Sequence, residues 1–232
     1  MRYFEFGRNN NRKVVGKNYC QTSEVFDLDF KKGIPFIDQL SSLPNYLGKL
    51  DNSKFPDVEP RVKFQLNSGS KQTDLINIPN TNSRGLFISN RLKGLMENFN
   101  LMEHKFYSGE LFIEEKPLLY YWFHPVVEDL KWIDFSKSVF SIMDAELIIK
   151  EVDQRVFESE KNYQNFRLNN KNNVQMKTIF LNKEFFKDLD FFYLPGFQFG
   201  YKYFISNELK LEMEKKKISG VAFKSQTYLN DY

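Results

Sequence analysis

The chain of 232 residues is 41% hydrophobic and 17% aromatic, enough to bury a core of its own without disulfide or metal staples. Its net charge of +3 is too small to indicate a nucleic-acid partner, because nucleic-acid-binding proteins concentrate lysine and arginine in a stripe. The single cysteine, Cys20, excludes an intramolecular disulfide and favours a reducing compartment. The N-terminus lacks the apolar segment of a signal peptide, and the longest apolar stretches are too short to span a bilayer. We therefore expect a cytoplasmic protein without a membrane partner.

The first 85 residues are loosely patterned. Their clearest signal is the alternation of Val62, Phe64 and Leu66 with polar residues, which predicts a half-buried strand. The polar, Asn-rich stretch from Gly7 to Gly16 predicts a loop. Weaker patterns predict further short elements, namely strands at 2–6 and 26–30 and a helix at 37–43.

A gapless repeat organises the rest of the chain. Residues 86–108 return as residues 203–225, at a spacing of 117 residues, and 10 of the 22 positions from Phe87 to Ser108 are identical in the second copy. The spacing is far longer than the period of about 20–50 residues in solenoid proteins. We therefore expect two related structural units within one protein.

Each copy predicts a strand end, a capped helix, a turn and a second strand. Ser89 and Ser206 occupy the N-cap position, where a hydroxyl accepts a hydrogen bond from a free backbone N–H of the first turn. Four apolar residues recur at helical spacing in the first copy, but only Leu209 and Met213 do in the second, so the second helix should be more exposed. Gly220 is expected to end that helix. We interpret the apolar positions as scaffold.

Two adjacent strands are predicted from residue 104 onwards. Residues 104–113 have strand composition, and Glu114 to Pro117 predicts a turn. The aromatic run from Leu118 to Pro125 predicts a central strand that is buried on both faces of a sheet.

Acidic and basic residues separate along residues 140–183. Six acids against two bases lie between Phe140 and Glu160, whereas residues 161–183 hold five bases and no acid. The simplest account is two solvated faces, with an exposed loop at the Asn-rich residues 169–173. If the protein binds a basic partner, the acidic run is the first candidate surface and the turn after residue 113 the second. The candidate contact residues are Asp144, Glu146, Glu151, Asp153, Glu114 and Glu115.

Catalytic and metal-binding motifs are absent from the sequence. His104 and His124 stand in no zinc-binding spacing, and neither a phosphate-binding loop nor a nucleophile elbow occurs. His124 fits a hydrogen-bonded sheet residue better than a general base, and Cys20 is flanked by plain polar residues. We therefore predict no catalytic residues, no metal and no cofactor, and a binding role.

Several stretches together resemble the immunity-protein families of bacterial polymorphic toxin systems, long catalogued as a conserved domain of unknown function. The resemblance spans roughly residues 60–232. It rests on Thr73-Asp74-Leu75, Gly85–Lys93, Leu119–Pro125, Ile133–Phe140, Ser206–Lys210 and Gly220–Phe223. The chain departs from the family's pattern in the first copy, where Gly94 and Glu103 stand in the places of Leu211 and Gly220.

The resemblance implies a cytoplasmic protein that binds and neutralises a cognate toxin, usually encoded by a neighbouring gene. It implies no particular toxin-binding residues. Two other functions stay open, an enzyme with a carboxylate or His124 site and a nucleic-acid-binding protein that uses the basic residues 161–183. The expected fold class is α+β, with a mixed, mainly antiparallel sheet and a few helices. We expect an N-terminal part, 1–85, packed on an immunity-like domain, 86–232, in one continuous globular body.

Overall fold

The computed structural model describes residues 3–17, 20–24, 53–56, 59–60, 62–78, 85–126, 130–144, 150–170, 173–182, 189–197, 200–227 and 229–230. The chain divides into two compact units. The first unit comprises Met1–Gly7, Glu128–Leu211 and Phe223–Tyr232, and the second comprises Arg8–Val127 and Glu212–Ala222. The division of the sequence at residue 85 stays a prediction, and the strand expected at 26–30 and the helix expected at 37–43 lie outside the described residues.

The predicted α+β class is confirmed, with mixed and antiparallel sheets and short helices. No described helix is long and apolar enough to cross a membrane. The described helices are α1 (Arg12–Val15), α2 (Asn90–Met96), α3 (Glu160–Asn169) and α4 (Asn207–Lys215). The described strands are β1 (Tyr3–Arg8), β2 (Thr22–Glu24), β3 (Val62–Leu66), β4 (Leu75–Ile76), β5 (Leu86–Ser89), β6 (His104–Ile113), β7 (Lys116–Pro125), β8 (Val139–Met143), β9 (Glu151–Arg155), β10 (Asn173–Phe180), β11 (Phe191–Phe197), β12 (Gly200–Ser206), β13 (Val221–Ser225) and β14 (Leu229–Asn230).

A six-stranded sheet of order β2-β3-β6-β7-β5-β4 forms the second unit. The predicted strands at 62–66 and 104–113 are confirmed as β3 and β6, which pair in parallel, while β6 and β7 form a long antiparallel hairpin. The aromatic strand β7 is central as predicted, but its first half is more exposed than expected, since Leu119 is 54% exposed while Trp122 and Phe123 are fully buried. Phe64 and Phe87 pack edge to face in the core of this sheet.

Two four-stranded sheets hold the remaining strands. One has the order β11-β12-β1-β13, in which the opening strand predicted from residues 2–6 pairs antiparallel with β12. The other has the order β14-β10-β8-β9 and belongs to the first unit. On it Phe140, Phe157 and Tyr163 form an aromatic cluster with ring centroids 5.0–5.4 Å apart.

Three helix boundaries follow from identifiable residues. The Gly7–Gly16 loop prediction is partly wrong, because the Asn11 side chain accepts a hydrogen bond from the backbone N–H of Lys13 and caps the short helix α1. The Ser89 cap of α2 is confirmed, since its hydroxyl accepts a hydrogen bond from Leu92 N at 3.1 Å. The prediction for α4 needs correction: this helix ends at Lys215, and Lys217, with a φ of 51°, takes the left-handed position expected of Gly220.

Candidate functional site

Two of the acidic candidates lie at the tip of the β6–β7 hairpin. Glu114 and Glu115 form the turn between these strands, and both are exposed. Glu114 has a φ of 57°, so the turn places a non-glycine residue in the left-handed region. This turn was predicted from the sequence, and it presents two neighbouring carboxylates to solvent.

The other four acidic candidates belong to residues 144–153, which overlap β9. Glu151 and Asp153 lie on β9, all five residues of which are exposed. Asp144 follows β8 and is half-buried, and Glu146 lies outside the described residues. The structure therefore places two of the four candidates together on one strand, at the edge of the described sheet.

The acids of β9 are paired with cations of the same unit. The Lys177 ammonium lies 3.0 Å from both carboxylate oxygens of Glu151, and the Arg155 guanidinium lies 3.0 Å from Asp153. Hydrogen bonds from Ser141 and Lys177 lower the pKa of Glu151 to about 2. Lys177 belongs to the basic segment 161–183, so charges that are separate in the sequence neutralise one another in the fold.

His124 is enclosed in the second unit. Its ring is fully buried on β7, and its Nε2 lies 3.2 Å from the backbone oxygen of Lys54. The rings of Phe55 and Tyr107 lie 6.5 Å and 6.3 Å from it. A general base must reach its substrate, and this imidazole has no exposed surface, which fits the predicted structural role.

Cys20 is a half-buried thiol. Its Sγ donates a hydrogen bond to the backbone oxygen of Thr22 at 3.2 Å. Burial raises the pKa of the thiol, so it is mainly protonated near neutral pH. Since the thiolate is the nucleophilic form, the surroundings of Cys20 do not activate it for catalysis.

Asp74, which belongs to the short motif Thr73-Asp74-Leu75, is a highly connected carboxylate among the described residues of the second unit. Its carboxylate accepts hydrogen bonds from the Ser89 hydroxyl at 2.7 Å, from Arg91 Nε and Nη2 at 3.0 and 2.6 Å, and from Ser219 N and Oγ at 2.7 and 2.8 Å. We call these four residues, Asp74, Ser89, Arg91 and Ser219, the Asp74 clasp.

The clasp holds residues 212–222 within the second unit. Arg91 also donates hydrogen bonds to the backbone oxygens of Lys216 and Lys217, at 3.4 and 2.9 Å. Backbone hydrogen bonds from Asp74 N and Leu75 N to the Ser219 oxygen, both 3.1 Å, complete the connection. Five donors on one carboxylate leave it little capacity to take part in acid–base chemistry.

Protonation of Asp74 is strongly disfavoured. Burial alone would raise the pKa of its carboxyl group, but the hydrogen bonds from Arg91, Ser219 and Ser89 outweigh burial and lower the pKa to about 2. Asp74 is therefore a carboxylate throughout the physiological pH range, and it compensates the charge of Arg91.

A cleft of about 500 Å³ opens beside the clasp. Leu118, Leu119 and Tyr120 of β7 form another part of its wall, and the Tyr120 hydroxyl donates a hydrogen bond to the backbone oxygen of Thr73 at 2.7 Å. Burial raises the pKa of Tyr120 to about 12. Asp74 and Tyr120, the carboxylate and the phenol in the wall of this cleft, therefore both have pKa values far from neutral pH.

Metal binding has no support in the described part of the chain. Among the residues with described positions, no three His, Cys, Asp or Glu side chains come close enough to hold an ion. The sequence prediction of no metal remains a prediction for the whole chain.

The sequence carried a signal for Asp74 that a gapless comparison misses. Asp74 precedes Ser89 by 15 residues, and Asp190 precedes Ser206 by 16. The Ser206 hydroxyl donates a hydrogen bond to Asp190 at 2.6 Å, as Ser89 does to Asp74. One extra residue in the second copy hides this equivalence when the copies are aligned at a fixed spacing.

These observations define an α+β protein in which the Asp74 clasp links described residues that are far apart in the chain. The profile of the immunity protein family Imm11 matches residues 8–227, nearly the whole chain. The protein belongs to this family, which confirms the resemblance noted in the sequence. Immunity proteins neutralise toxins and are generally non-catalytic. No curated protein matches the chain.

Proposed function

We propose that the protein is a cytoplasmic immunity protein of a bacterial polymorphic toxin system. It binds a cognate toxin, encoded by a neighbouring gene, and occludes its active site or substrate groove without chemistry. Membership of the Imm11 family supports toxin neutralisation. The absence of chemistry is supported by one observation above all: the Asp74 carboxylate beside the cleft is saturated by five hydrogen bonds.

We further propose that acidic residues contribute to the toxin-binding surface. The first candidate is the β9 region, with Asp144, Glu146, Glu151 and Asp153, where Val152 is 48% exposed and offers apolar contact area beside the carboxylates. The second is the hairpin tip, with Glu114 and Glu115 exposed. Because Arg155 and Lys177 already pair with the acids of β9, a basic toxin must compete with them. We therefore expect these charges to affect association rate and specificity more than affinity.

Co-expression with the C-terminal domain of the neighbouring gene product tests neutralisation. Rescue of cell growth and recovery of a stoichiometric complex are the expected results. If growth is not rescued and no complex forms, this pairing is wrong.

Occlusion and chemical inactivation can be separated with the same complex. The toxin is released by denaturation, separated from the immunity protein, refolded and assayed. Occlusion predicts full recovery of toxin activity and an unchanged toxin mass. A toxin that stays inactive with an altered mass would instead establish an enzymatic immunity protein.

Charge reversal distinguishes the two candidate surfaces. One variant carries Asp144→Lys, Glu146→Lys, Glu151→Lys and Asp153→Lys, and the matched variant carries Glu114→Lys and Glu115→Lys. If the β9 region is the binding surface, the first variant associates with the toxin more slowly at low salt while the second binds normally. Unchanged association of both variants at low salt removes the acidic-surface proposal but leaves occlusion intact.

A further inference from the structure

Two groups of four strands have the same spatial order but a different order along the chain. In the second unit, β4, β5, β7 and β6 are neighbours in that order. In the sheet that contains the N-terminus, the order is β11, β12, β1 and β13. The repeat in the sequence makes β5 equivalent to β12 and β6 equivalent to β13. The strand in the third place is β7 in the first group, where it follows β6, and β1 in the second, where it begins the chain.

The strand registers match residue by residue. Ser89 lies opposite Tyr120 and Ile88 opposite Tyr121. In the second group, Ser206 lies opposite Tyr3 and Ile205 opposite Phe4. Tyr3 of β1 is therefore the counterpart of Tyr120, and both pairs of strands are antiparallel.

The two tyrosines make the same hydrogen bond. The Tyr120 hydroxyl donates to the backbone oxygen of Thr73 at 2.7 Å, and the Tyr3 hydroxyl donates to that of Leu189 at 3.1 Å. In each case the acceptor is the residue immediately before the aspartate that binds the N-cap serine. β1 and β7 both lie outside the gapless repeat. The agreement between the two tyrosine hydrogen bonds therefore does not follow from the sequence alignment.

A contact between a lysine and an aromatic ring repeats as well. The Lys93 ammonium lies 4.9 Å from the centroid of Tyr121, and the Lys210 ammonium lies 5.0 Å from that of Phe4.

The residues two positions further along β7 and β1 also agree. The rings of Phe106 and Phe123 are tilted at a centroid distance of 5.4 Å, and those of Phe223 and Phe6 are tilted at 6.1 Å. Three successive kinds of contact thus place β1 where β7 stands in the first copy.

We propose that the second copy is a circularly permuted version of the first, and that its third strand is supplied from the opposite end of the chain. β1 is then a complementing strand. It lies between β12 and β13, and its register and side-chain contacts there match those of β7 in the first copy. Without β1, one edge of β12 loses its hydrogen-bonding partner, which is costly for a strand whose Phe204 and Ile205 are fully buried.

Moving the strand tests this proposal. Three chains are compared: the full chain, residues 10–232, and a permuted chain that begins at Asn10 and carries residues 1–9 behind Tyr232 through a flexible linker of about 15 residues. Amide hydrogen exchange is measured on β12 (Gly200–Ser206), with β5 (Leu86–Ser89) in the same molecule as the reference for a folded first copy.

The expected result is a β12 that exchanges about 100-fold faster in the chain of residues 10–232 and regains protection in the permuted chain. A permuted chain with Phe4→Asp and Phe6→Asp in the moved segment is the matched control and should stay unprotected at β12. Equal β12 protection with and without residues 1–9 overturns the proposal. The proposal is also overturned if β12 of the permuted chain does not regain its protection. This criterion holds even if truncation exposes β5 to exchange as well.

Discussion

The two copies of the repeat share their backbone scaffold and differ at the residue that completes the clasp. In both, a serine caps a helix and binds an aspartate that precedes it in the chain. In the first copy, Arg91 adds a bidentate ion pair and reaches the end of α4. The second copy has Glu208 at this position, and a carboxylate cannot donate those hydrogen bonds. The second copy therefore cannot form the Arg91 part of the clasp.

Several of the identical positions of the repeat contribute packing contacts in each copy. Leu92 and Met96 are fully buried, and so are their counterparts Leu209 and Met213. The lysine after each leucine lies over aromatic rings. The burial of these leucines and methionines agrees with the interpretation of the apolar positions as scaffold. Positions that differ between the copies are the better places to look for specialisation.

The largest expected difference between the copies is at Gly220, whose counterpart is Glu103. Gly220 has a φ of 79°, and an added Cβ would lie 2.2 Å from the Leu75 oxygen. We expect Gly220→Ala to destabilise the second unit by about 2–5 kcal/mol, combining left-handed strain with overpacking. Urea denaturation in a Trp132→Phe background measures this, because the remaining Trp122 is buried in that unit.

Glu103→Ala is the matched control for this substitution. Glu103 is exposed, so its replacement should change the free energy of unfolding by no more than about 0.5 kcal/mol. Equal effects at the two positions would show that the close approach of Gly220 to β4 is unimportant.

The next largest effect concerns the clasp itself. Asp74→Ala removes the acceptor of five hydrogen bonds and leaves the Arg91 charge without its partner, so we expect a loss of about 2–3 kcal/mol. The value lies below that for a fully buried pair because the Arg91 side chain is 54% exposed. Arg91→Ala should cost only about 1 kcal/mol, since Ser89 and Ser219 still donate to Asp74. A larger loss of unfolding free energy for Arg91→Ala than for Asp74→Ala would contradict this ranking.

Acid should weaken the clasp less than deletion does, because a protonated carboxyl group still forms hydrogen bonds. The folded pKa of Asp74, about 2, lies below its ordinary value near 4. Its stabilising contribution is therefore complete above about pH 4 and is lost as pH falls through about 2. The difference in unfolding free energy between the wild type and Asp74→Asn should shrink over this range. Glu151, whose pKa is also lowered to about 2, is common to both proteins and cancels. A difference that does not change with pH would contradict the lowered pKa.

The smallest expected effects test the similarity of the copies. Lys93→Met and Lys210→Met each remove a cation above aromatic rings, and each should cost about 0.5–1 kcal/mol. Thermal unfolding of both variants checks that the losses agree within about 0.5 kcal/mol. Lys215→Met is the control, because the Lys215 side chain is 77% exposed. If the two losses differ by more than about 1 kcal/mol, the size of one cation–π contact, the lysine contacts of the two copies are not equivalent.

Local patterns in the sequence predicted much of the fold. The alternation at 62–66, the strand at 104–113 and the aromatic strand that follows were all found from residue type and periodicity. The serine caps could be predicted because a hydroxyl at the N-cap position accepts a hydrogen bond from a free backbone N–H of the first helical turn. Each of these signals lies within a window of about ten residues, the range in which hydrophobic periodicity is informative.

Long-range relations were out of reach of the same reasoning. The pairing of Glu151 with Lys177 joins an acidic stretch to a basic one that had suggested two separate surfaces. The Asp74 clasp joins residues 145 positions apart, from Asp74 to Ser219. The role of β1 was hidden because the permutation removes its counterpart, β7, from the equivalent place in the chain. Tertiary contacts of this kind depend on topology, which no local pattern encodes.

The pairing of Tyr3 with Ser206 also has a consequence for synthesis. About 200 residues separate the two, so at a translation rate of roughly 5–20 residues per second β1 leaves the ribosome about 10–40 s before its partner strand exists. During that interval the backbone donors and acceptors of β1 stay hydrogen-bonded to water, while β5, β6 and β7 can already pair. A message truncated before β12 therefore yields a first copy whose strands β4 to β7 are all present, and an N-terminal strand that lacks its neighbours β12 and β13.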